Sequence, residues 1–181
     1  MDIIFSIDNG LMELIRYMIV LITAVIAIIS FRADHKRRKR QATFDFYHAI
    51  YEKFIEQLKK INKAFPDENS VIPACDIEAN SEISHAIRGY LSCMERFAVG
   101  IRKRIFDFHV FKRTVGAIHT IKLFDRFIGF IVDFRQKNDS PWAYEDLEHL
   151  VRRLKRVQER RKLWQSVMQI TRKGNKAWKT Q

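Results

Sequence analysis

The feature that most constrains this chain is an apolar segment followed at once by a run of cations. Residues 11–31 read LMELIRYMIVLITAVIAIISF, and residues 32–40 read RADHKRRKR. At a rise of about 1.5 Å per residue, a helix over residues 11–31 is roughly 31 Å long, which matches the hydrocarbon core of a bilayer. The sequence therefore predicts a single membrane-spanning helix near the N-terminus.

The charges on either side of this segment predict its orientation. Asp2, Asp8 and Glu13 lie on the N-terminal side with Arg16, whereas residues 32–40 hold six cations and one acid. Because cations are retained on the cytoplasmic side, we expect the N-terminus outside and the remaining chain in the cytoplasm, at a bacterial inner membrane. A cleaved signal peptide is the alternative, but the positive N-terminal charge and the small-residue cleavage site of such peptides are missing.

Two features of the segment are candidates for membrane association. Glu13 and Arg16 lie three residues apart on one helix face, where they form either an interfacial ion pair or a functional pair inside the membrane. Thr23, Ala27 and Ser30 form a stripe of small residues, which lets helices approach closely in lipid. This stripe predicts self-association into a homo-oligomer.

The net charge of +12 is concentrated in two zones. Residues 32–40 contribute +5, residues 151–181 contribute +10, and residues 41–150 are almost neutral. With the apolar segment, this pattern divides the chain into an N-terminal segment and span (1–31), a basic juxtamembrane linker (32–43), a cytoplasmic helical bundle (44–170) and a basic tail (171–181). The juxtamembrane cations expected to face anionic lipid are Lys36, Arg37, Arg38, Lys39 and Arg40.

Apolar residues beyond the linker recur in steps of three and four, which predicts helices. The first stripe continues the span as a stalk-like helix up to Pro66, through Phe44, Tyr47, Tyr51, Phe54, Leu58, Ile61 and Phe65. A loop is expected over residues 66–79 because it holds two prolines and several turn-forming residues.

Three further helices are predicted after this loop. Asn80 or Ser81 caps one that ends near Gly100, and Asp107 caps another that runs to about Gln136. Ser140 caps the last, whose inward residues are Leu147, Leu150, Val151, Leu154, Val157, Trp164, Val167 and Met168. Because alternating strand patterns are missing, the predicted fold is all-α: an N-terminal transmembrane helix that continues into a cytoplasmic bundle of about four helices.

Motifs for chemistry are missing. The sequence has no phosphate-binding glycine loop, no nucleophile elbow and no HExxH, and Cys75 and Cys93 are far apart. Glu145, Glu148 and His149 could supply half of a two-metal site, but a second such cluster is not present. We therefore expect no catalytic activity, no cofactor and no metal.

Charged residues also lie beside the apolar stripes of the middle helices. They are expected to form either an interhelical salt-bridge network or a ligand pocket, because buried charges need partners. The residues are Glu95, Arg96, Arg126 and Arg135.

The C-terminal basic zone interleaves cations with Trp164 and Trp178. Three interpretations remain open: a solvated bundle face, a surface that binds a polyanion or a nucleotide, and a second, reversible anchor on the inner leaflet. The candidate anion-binding residues are Arg152, Arg153, Lys155, Arg156, Arg160, Arg161, Lys162 and Trp164.

Two stretches carry a resemblance to a known family. They are YLSCMERFAVGIRKRIFDFHVFKRTVGAIHTIKLFDRF and DSPWAYEDLEHLVRRL, with the run from Met94 to Gly100 and Phe106-Asp107 as the most specific part. Over residues 42–155 the chain resembles an uncharacterised family of small bacterial single-pass membrane proteins, domain of unknown function 4760. The resemblance implies one N-terminal span and a helical cytosolic domain, and it brings no reaction or catalytic residues.

These features predict a non-enzymatic, self-associating membrane protein that binds an anionic partner through its last helix. An antiviral defence effector that responds to a nucleotide or protein signal is one such protein. The alternative is a structural adaptor that recruits a protein complex to the inner membrane. An enzyme with a helical metal site is a third reading, which predicts stoichiometric metal in the purified protein.

Overall fold

The computed structural model describes residues 2–67 and 70–177, with side chains described for 11–67, 70–166 and 168. Within these residues the chain is all-α, and none of them lies in a β-strand. Val167 and the whole predicted basic tail (171–181), which includes Trp178, lie outside the described side chains. The predicted fold class is confirmed.

Helix α1 spans Asp2–Ala64 without interruption. The predicted span and the first helix of the bundle are therefore one continuous helix. Its Leu11–Ala64 portion contains an 18-residue window with a mean hydropathy of 2.4, and none of that window is buried. One helix among the described residues is thus long and apolar enough to cross a membrane. It ends just before Pro66, which has no backbone N–H to donate.

Shorter helices follow α1. They are α2 (Ala74–Glu78), α3 (Ser81–Arg102), α4 (Phe108–Phe111), a π-helical turn (Lys112–Gly116), α5 (Ala117–Arg126), α6 (Ile128–Lys137) and α7 (Glu145–Ala177). Of the two predicted candidates, Asn80 and Ser81, it is the Asn80 side chain that caps α3, and the Asp107 side chain caps α4 as predicted. Helix α2 was not predicted; it forms inside the expected loop, where its Ile77 is fully buried.

The third predicted helix, over residues 107–136, is interrupted twice. The π-helical turn ends at Gly116, whose φ of +90° is a conformation that residues with a Cβ rarely adopt. A second break lies at Phe127, whose N–H is shared between the carbonyls of Leu123 and Phe124. Apolar periodicity continues through both breaks, so the stripe predicted one helix where the backbone forms four consecutive segments.

The predicted start of the last helix at Ser140 is wrong, because residues 141–144 form a turn and α7 begins at Glu145. Its N-terminus is capped from another helix. The Glu95 carboxylate on α3 accepts hydrogen bonds from the backbone N–H groups of Asp146 (3.2 Å) and Leu147 (2.7 Å). Burial raises the pKa of Glu95 above its ordinary value, although these two hydrogen bonds act in the opposite direction.

Aromatic side chains fill the core, and fully buried ones include Tyr90, Phe97, Phe111, Phe127 and Phe130. The seam predicted on α1 is partly wrong, since Phe44 and Tyr51 are 42% and 43% exposed. Phe54 and Ile61 of the predicted seam are buried, and so is Thr43, which was not part of it. The difference arises because α3 and α4 cover one face of α1, and that face is rotated from the predicted one.

Residue pairs along the bundle give the helix directions. Helix α3 is antiparallel to α1, since Phe54 contacts Tyr90 and Phe46 contacts Phe97, both with ring centroids 4.7 Å apart. Helix α7 runs in the same direction as α3, because its first turn contacts Glu95 whereas Leu150 and Arg153 share a small cavity with Ala98, Ile101 and Arg102. Both helices therefore run toward the end of the bundle from which α1 continues into its apolar segment.

Candidate anion-binding cleft

A cleft of about 680 Å³ lies between α7 and the connected segment of α4, the π-helical turn and α5. We call it the basic cleft. Its polar lining is cationic or neutral, and its apolar lining comes from α5 and α7. The lining residues are His109, Lys112, Arg113, Gly116, Ala117, Ile118, His119, Lys122, Leu154, Val157, Gln158 and Arg161.

The local sequence explains how α4 presents the first of these residues. The Asp107 carboxylate accepts hydrogen bonds from the backbone N–H groups of His109 (2.8 Å) and Val110 (3.1 Å). The backbone N–H of Asp107 itself donates to the Thr43 hydroxyl at 2.8 Å. Helix α4 is thus tied to α1 through its N-cap residue, and His109 lines the basic cleft.

The π-helical turn shapes the middle of the basic cleft. A π turn widens the helix locally and often occurs at functional sites. Lys112 and Arg113 lie on this turn, and Gly116 ends it with a positive φ. The Gly116 carbonyl accepts a 2.9 Å hydrogen bond from the Thr120 hydroxyl, which joins the turn to α5.

The charge of the basic cleft is strongly one-sided. Its lining includes the permanent cations Lys112, Arg113, Lys122 and Arg161, and none of its lining residues is an acid. Asp125, which follows Lys122 on α5, pairs with Lys155 at 2.7 Å. The arrangement suits an anionic ligand, and the apolar side chains beside the cations suit a ligand that also has an apolar portion.

A comparison with protein families gives a match over most of the chain. The model of a domain of unknown function, DUF4760, matches residues 17–154. The chain belongs to the DUF4760 family. Comparisons with curated proteins and with solved structures find no match to it.

The DUF4760 match covers the two walls of the basic cleft unequally. The wall formed by α4, the π-helical turn and α5 lies inside the matched residues, whereas Val157, Gln158 and Arg161 on α7 lie beyond residue 154. The match also begins at residue 17, so it includes most of the apolar segment of α1. The strongly basic end of the chain lies outside it, as the resemblance implied.

The predicted anion-binding residues are distributed around α7. Arg161 lines the basic cleft, whereas Arg152 pairs with Glu148 and Lys155 pairs with Asp125. The Arg153 guanidinium lies 3.9 Å from the centroid of the Phe108 ring. The remaining four, Arg156, Arg160, Lys162 and Trp164, are exposed.

The other wall of the basic cleft was missed by sequence reasoning. Its polar residues are His109, Lys112, Arg113, His119 and Lys122. Their signal was the cluster of cations on both sides of Gly116 in KRTVGAIHTIK. It was missed because the stretch was assigned to one continuous helix, on which these residues are spread around the surface.

Three of the four charged residues flanking the middle stripes form interhelical contacts, whereas Arg96 is exposed. Glu95 caps α7, and Arg135 pairs with Glu148 at 3.1 Å and donates to the Ala143 carbonyl at 2.8 Å. Arg126 is only 2% exposed and donates to Asn62 Oδ1 at 3.1 Å and to the Phe65 carbonyl. These contacts join helices to one another, and they favour the structural interpretation over a ligand pocket.

The side chains of the possible half metal site are paired with protein groups. Glu148 pairs with Arg135 and Arg152, and His149 lies 3.5 Å from Glu145. Burial opposes ionisation of Glu148, but its two arginine partners outweigh that effect and lower its pKa. Among the described residues, no group of three or more His, Cys, Asp or Glu side chains is placed to hold a metal ion.

The predicted membrane-association residues lie on exposed surfaces of α1. Glu13, Arg16, Ala27 and Ser30 are exposed, and the Thr23 hydroxyl donates to the Ile19 carbonyl at 2.8 Å. In the juxtamembrane cluster, Lys36 and Arg37 are exposed and Lys39 is half-buried. Its other two members pair with acids: Arg38 with Asp34 at 2.8 Å and Arg40 with Asp107 at 3.7 Å.

Proposed function

We propose that this protein is a membrane-anchored, non-enzymatic effector that binds an anionic ligand in the basic cleft. The observation that carries the proposal is the charge of that cleft: four permanent cations and two histidines line a concave site without any carboxylate. Its volume of about 680 Å³ is that of a site for a small ligand. A phosphate-bearing ligand such as a nucleotide has the charge that such a site selects.

The basic cleft is connected to α1 through α4. Asp107 precedes the cleft residue His109, and its backbone N–H donates to the fully buried Thr43 hydroxyl. The Asp107 carboxylate also lies 3.7 Å from Arg40 Nε. A ligand that shifts α4 therefore acts directly on α1, just beyond the juxtamembrane cations.

In this proposal, α1 crosses the inner membrane with its N-terminus outside, and the helical bundle lies in the cytoplasm. The uneven charge beside the apolar segment supports this orientation. Spans that associate through Thr23, Ala27 and Ser30 place several bundles side by side. Ligand binding then alters the association of the spans, as expected of a membrane effector in antiviral defence.

Calorimetry on the full-length protein in detergent tests the ligand class, with ATP and a short single-stranded oligonucleotide as probes. We expect binding that weakens with increasing salt, because the contacts are charge pairs. The double variant Arg113→Gln/Arg161→Gln should weaken binding by about tenfold or more, since each charge-assisted contact contributes roughly 1 kcal/mol.

A charge-matched control separates the basic cleft from the overall positive charge of the protein. Lys59 and Lys63 are exposed on α1 and do not line the cleft. The variant Lys59→Gln/Lys63→Gln should bind both probes as the wild type does. Equal losses in the two double variants, or a wild type that binds neither probe at low ionic strength, would contradict the proposed function.

A further inference from the structure

The inward stripe of α7 continues beyond the bundle. Leu147, Leu150 and Leu154 on this stripe are buried. Farther along the same helix, Trp164 is 70% exposed and Met168 is 57% exposed, contrary to their predicted inward positions. They are exposed because α7 extends past the end of α3, so this part of the helix has an apolar face without a partner among the described residues.

The direction of α7 shows which part of the molecule this apolar face approaches. Near Arg153 the helix has reached the end of the bundle closest to the apolar segment of α1, because Arg153 lies over Phe108 and the adjacent Asp107 bonds Thr43. Helix α7 continues for 24 more residues, to Ala177. At about 1.5 Å per residue this is roughly 36 Å of helix, directed toward the side where α1 enters its apolar segment.

Counting residues from these contacts compares the level of Trp164 along the bundle with the end of the apolar segment on α1. On α1, the distance from Thr43 to Phe31, the last residue of the apolar segment, is 12 residues, or about 18 Å. On α7, the distance from Arg153 to Trp164 is 11 residues, or about 17 Å. A continuation of α7 along α1 brings Trp164 to about the level where the apolar segment ends, and tryptophan is enriched at that depth of a membrane.

The charge of the same segment restricts what can cover its apolar face. Residues 151–181 hold eleven cations and one acid, and the neighbouring residues 32–40 of α1 hold six cations and one acid. Two such helices repel each other, and two copies of the α7 segment repel each other as well. An anionic lipid surface neutralises the charge of both basic segments and also accommodates the apolar side chains Leu163, Trp164 and Met168.

We propose that residues 160–168 of α7 meet the anionic surface of the same bilayer that α1 enters, through Leu163, Trp164 and Met168. The segment is then a second membrane contact, which holds the bundle, and with it the basic cleft, at a fixed distance from the lipid. This inference rests on the membrane anchoring in the proposed function, but it does not depend on what the basic cleft binds.

Tryptophan fluorescence of the full chain in lipid nanodiscs tests the proposal. One variant, Trp142→Phe/Trp178→Phe, keeps Trp164, and its matched control, Trp164→Phe/Trp178→Phe, keeps Trp142. Trp142 is exposed in the turn before α7, 22 residues before Trp164 in the chain. The quencher is a nitroxide attached to the lipid headgroup, in discs of phosphatidylglycerol and phosphatidylcholine or of phosphatidylcholine alone.

We expect Trp164 to lose about half of its emission in the phosphatidylglycerol discs, with a shift to shorter wavelength, and Trp142 to lose little. Adding Arg160→Gln/Lys162→Gln should weaken the Trp164 quenching, whereas Lys59→Gln/Lys63→Gln should not. Equal quenching of the two tryptophans overturns the inference. So does a Trp164 signal that changes with the number of protein copies per disc, since a second copy then covers the face.

A separate measurement distinguishes failure of the inference from failure of the anchoring. Full-length protein reconstituted into vesicles should float with the lipid in a density gradient and resist alkaline extraction. If it does so while Trp164 stays unquenched, the surface contact is wrong and the anchoring stands. If it does not float, the anchoring and the inference that rests on it are both overturned.

Discussion

The Glu95 carboxylate on α3 accepts a 2.7 Å hydrogen bond from the backbone N–H of Leu147, in the first turn of α7. A second bond from the N–H of Asp146 completes a cap that is supplied by another helix. Asp146 in turn pairs with Arg102 at 2.6 Å. The start of α7, and therefore one wall of the basic cleft, is positioned by α3 and not by the residues that precede α7 in sequence.

Replacing Glu95 by Ala should destabilise the bundle by about 1–2 kcal/mol, because two N–H groups at the N-terminus of α7 lose their acceptor. The melting temperature of the full-length protein in detergent should fall by a few degrees. Glu95→Gln should cost less, since the amide oxygen still accepts one hydrogen bond and burial already disfavours the charged carboxylate. Glu52→Ala, at an exposed position on α1, is the control; an equal loss there would refute the interhelical cap.

Gly100 and Gly89 on α3 should respond oppositely to the same substitution. A Cβ at Gly100 would collide with the Phe106 ring, which is packed between Phe46 and Phe97. Gly100→Ala should therefore destabilise the bundle by about 1–3 kcal/mol, as overpacking of a core does. A Cβ at Gly89 meets only the end of the flexible Gln57 side chain.

Gly89→Ala is the matched control, because alanine favours the helix by up to about 1 kcal/mol once Gln57 moves aside. Thermal unfolding of both variants in the same detergent measures the difference in stability between them. A Gly100→Ala protein as stable as Gly89→Ala would mean that the close packing of Phe106 on α3 is wrong.

Asp107 should make the stability of the protein sensitive to acid. Burial of this carboxyl opposes its ionisation, but hydrogen bonds from the Val110 and His109 backbone and the positive charge of Arg40 outweigh it and lower its pKa. Since the ionised form is favoured in the folded state, its contribution is fully present above the ordinary pKa of about 4 and is lost as the pH falls through the lowered value.

The variant Asp107→Asn keeps an acceptor for the cap but cannot ionise. The wild type should melt at a higher temperature than this variant near pH 6, and the difference should shrink below about pH 4. Asp139→Asn, at an exposed turn position before α7, is the control. A difference that stays constant from pH 6 to pH 3 would show that the charge of Asp107 does not stabilise the link between α4 and α1.

The small-residue stripe of α1 predicts how the protein associates. Replacing Thr23, Ala27 and Ser30 together by Leu should abolish self-association in detergent, because bulky side chains keep the helices apart. Chemical crosslinking and analytical ultracentrifugation measure the change. The control replaces Ile22, Ile26 and Ile29 by Leu, which keeps the hydrophobicity and leaves the stripe intact. If both triple variants associate equally, the helices do not meet through the stripe.

Local sequence patterns were sufficient to predict where several helices begin. Asp107, and Asn80 as one of two candidates with Ser81, were predicted as caps from their side-chain chemistry, which depends only on the two or three residues that follow them. Ser140 has the same chemistry and does not cap α7, because Glu95, 45 positions earlier in the chain, supplies the acceptors instead. A contact between residues so far apart leaves no signal in the local sequence.

The basic cleft is another feature that local sequence patterns could predict only in part. Arg161 was a candidate because it belongs to a visible run of cations on one helix, whereas Lys112 and Arg113 were not. Their position depends on the π-helical turn that ends at Gly116 and on the crossing of α5 with α7. Periodicity places a residue on a helix face, but it does not show which other face lies opposite.

What the sequence by itself determined is the all-α fold, the long apolar helix and the two basic zones, because helical periodicity, hydropathy and charge are properties of neighbouring residues. The tertiary structure alone decided that Glu95 starts α7, that α7 runs back toward the apolar segment, and that cations from α5 and α7 face each other across one cleft. These features arise when distant segments are packed to bury their aromatic side chains, and the packing sets helix directions that no single segment encodes.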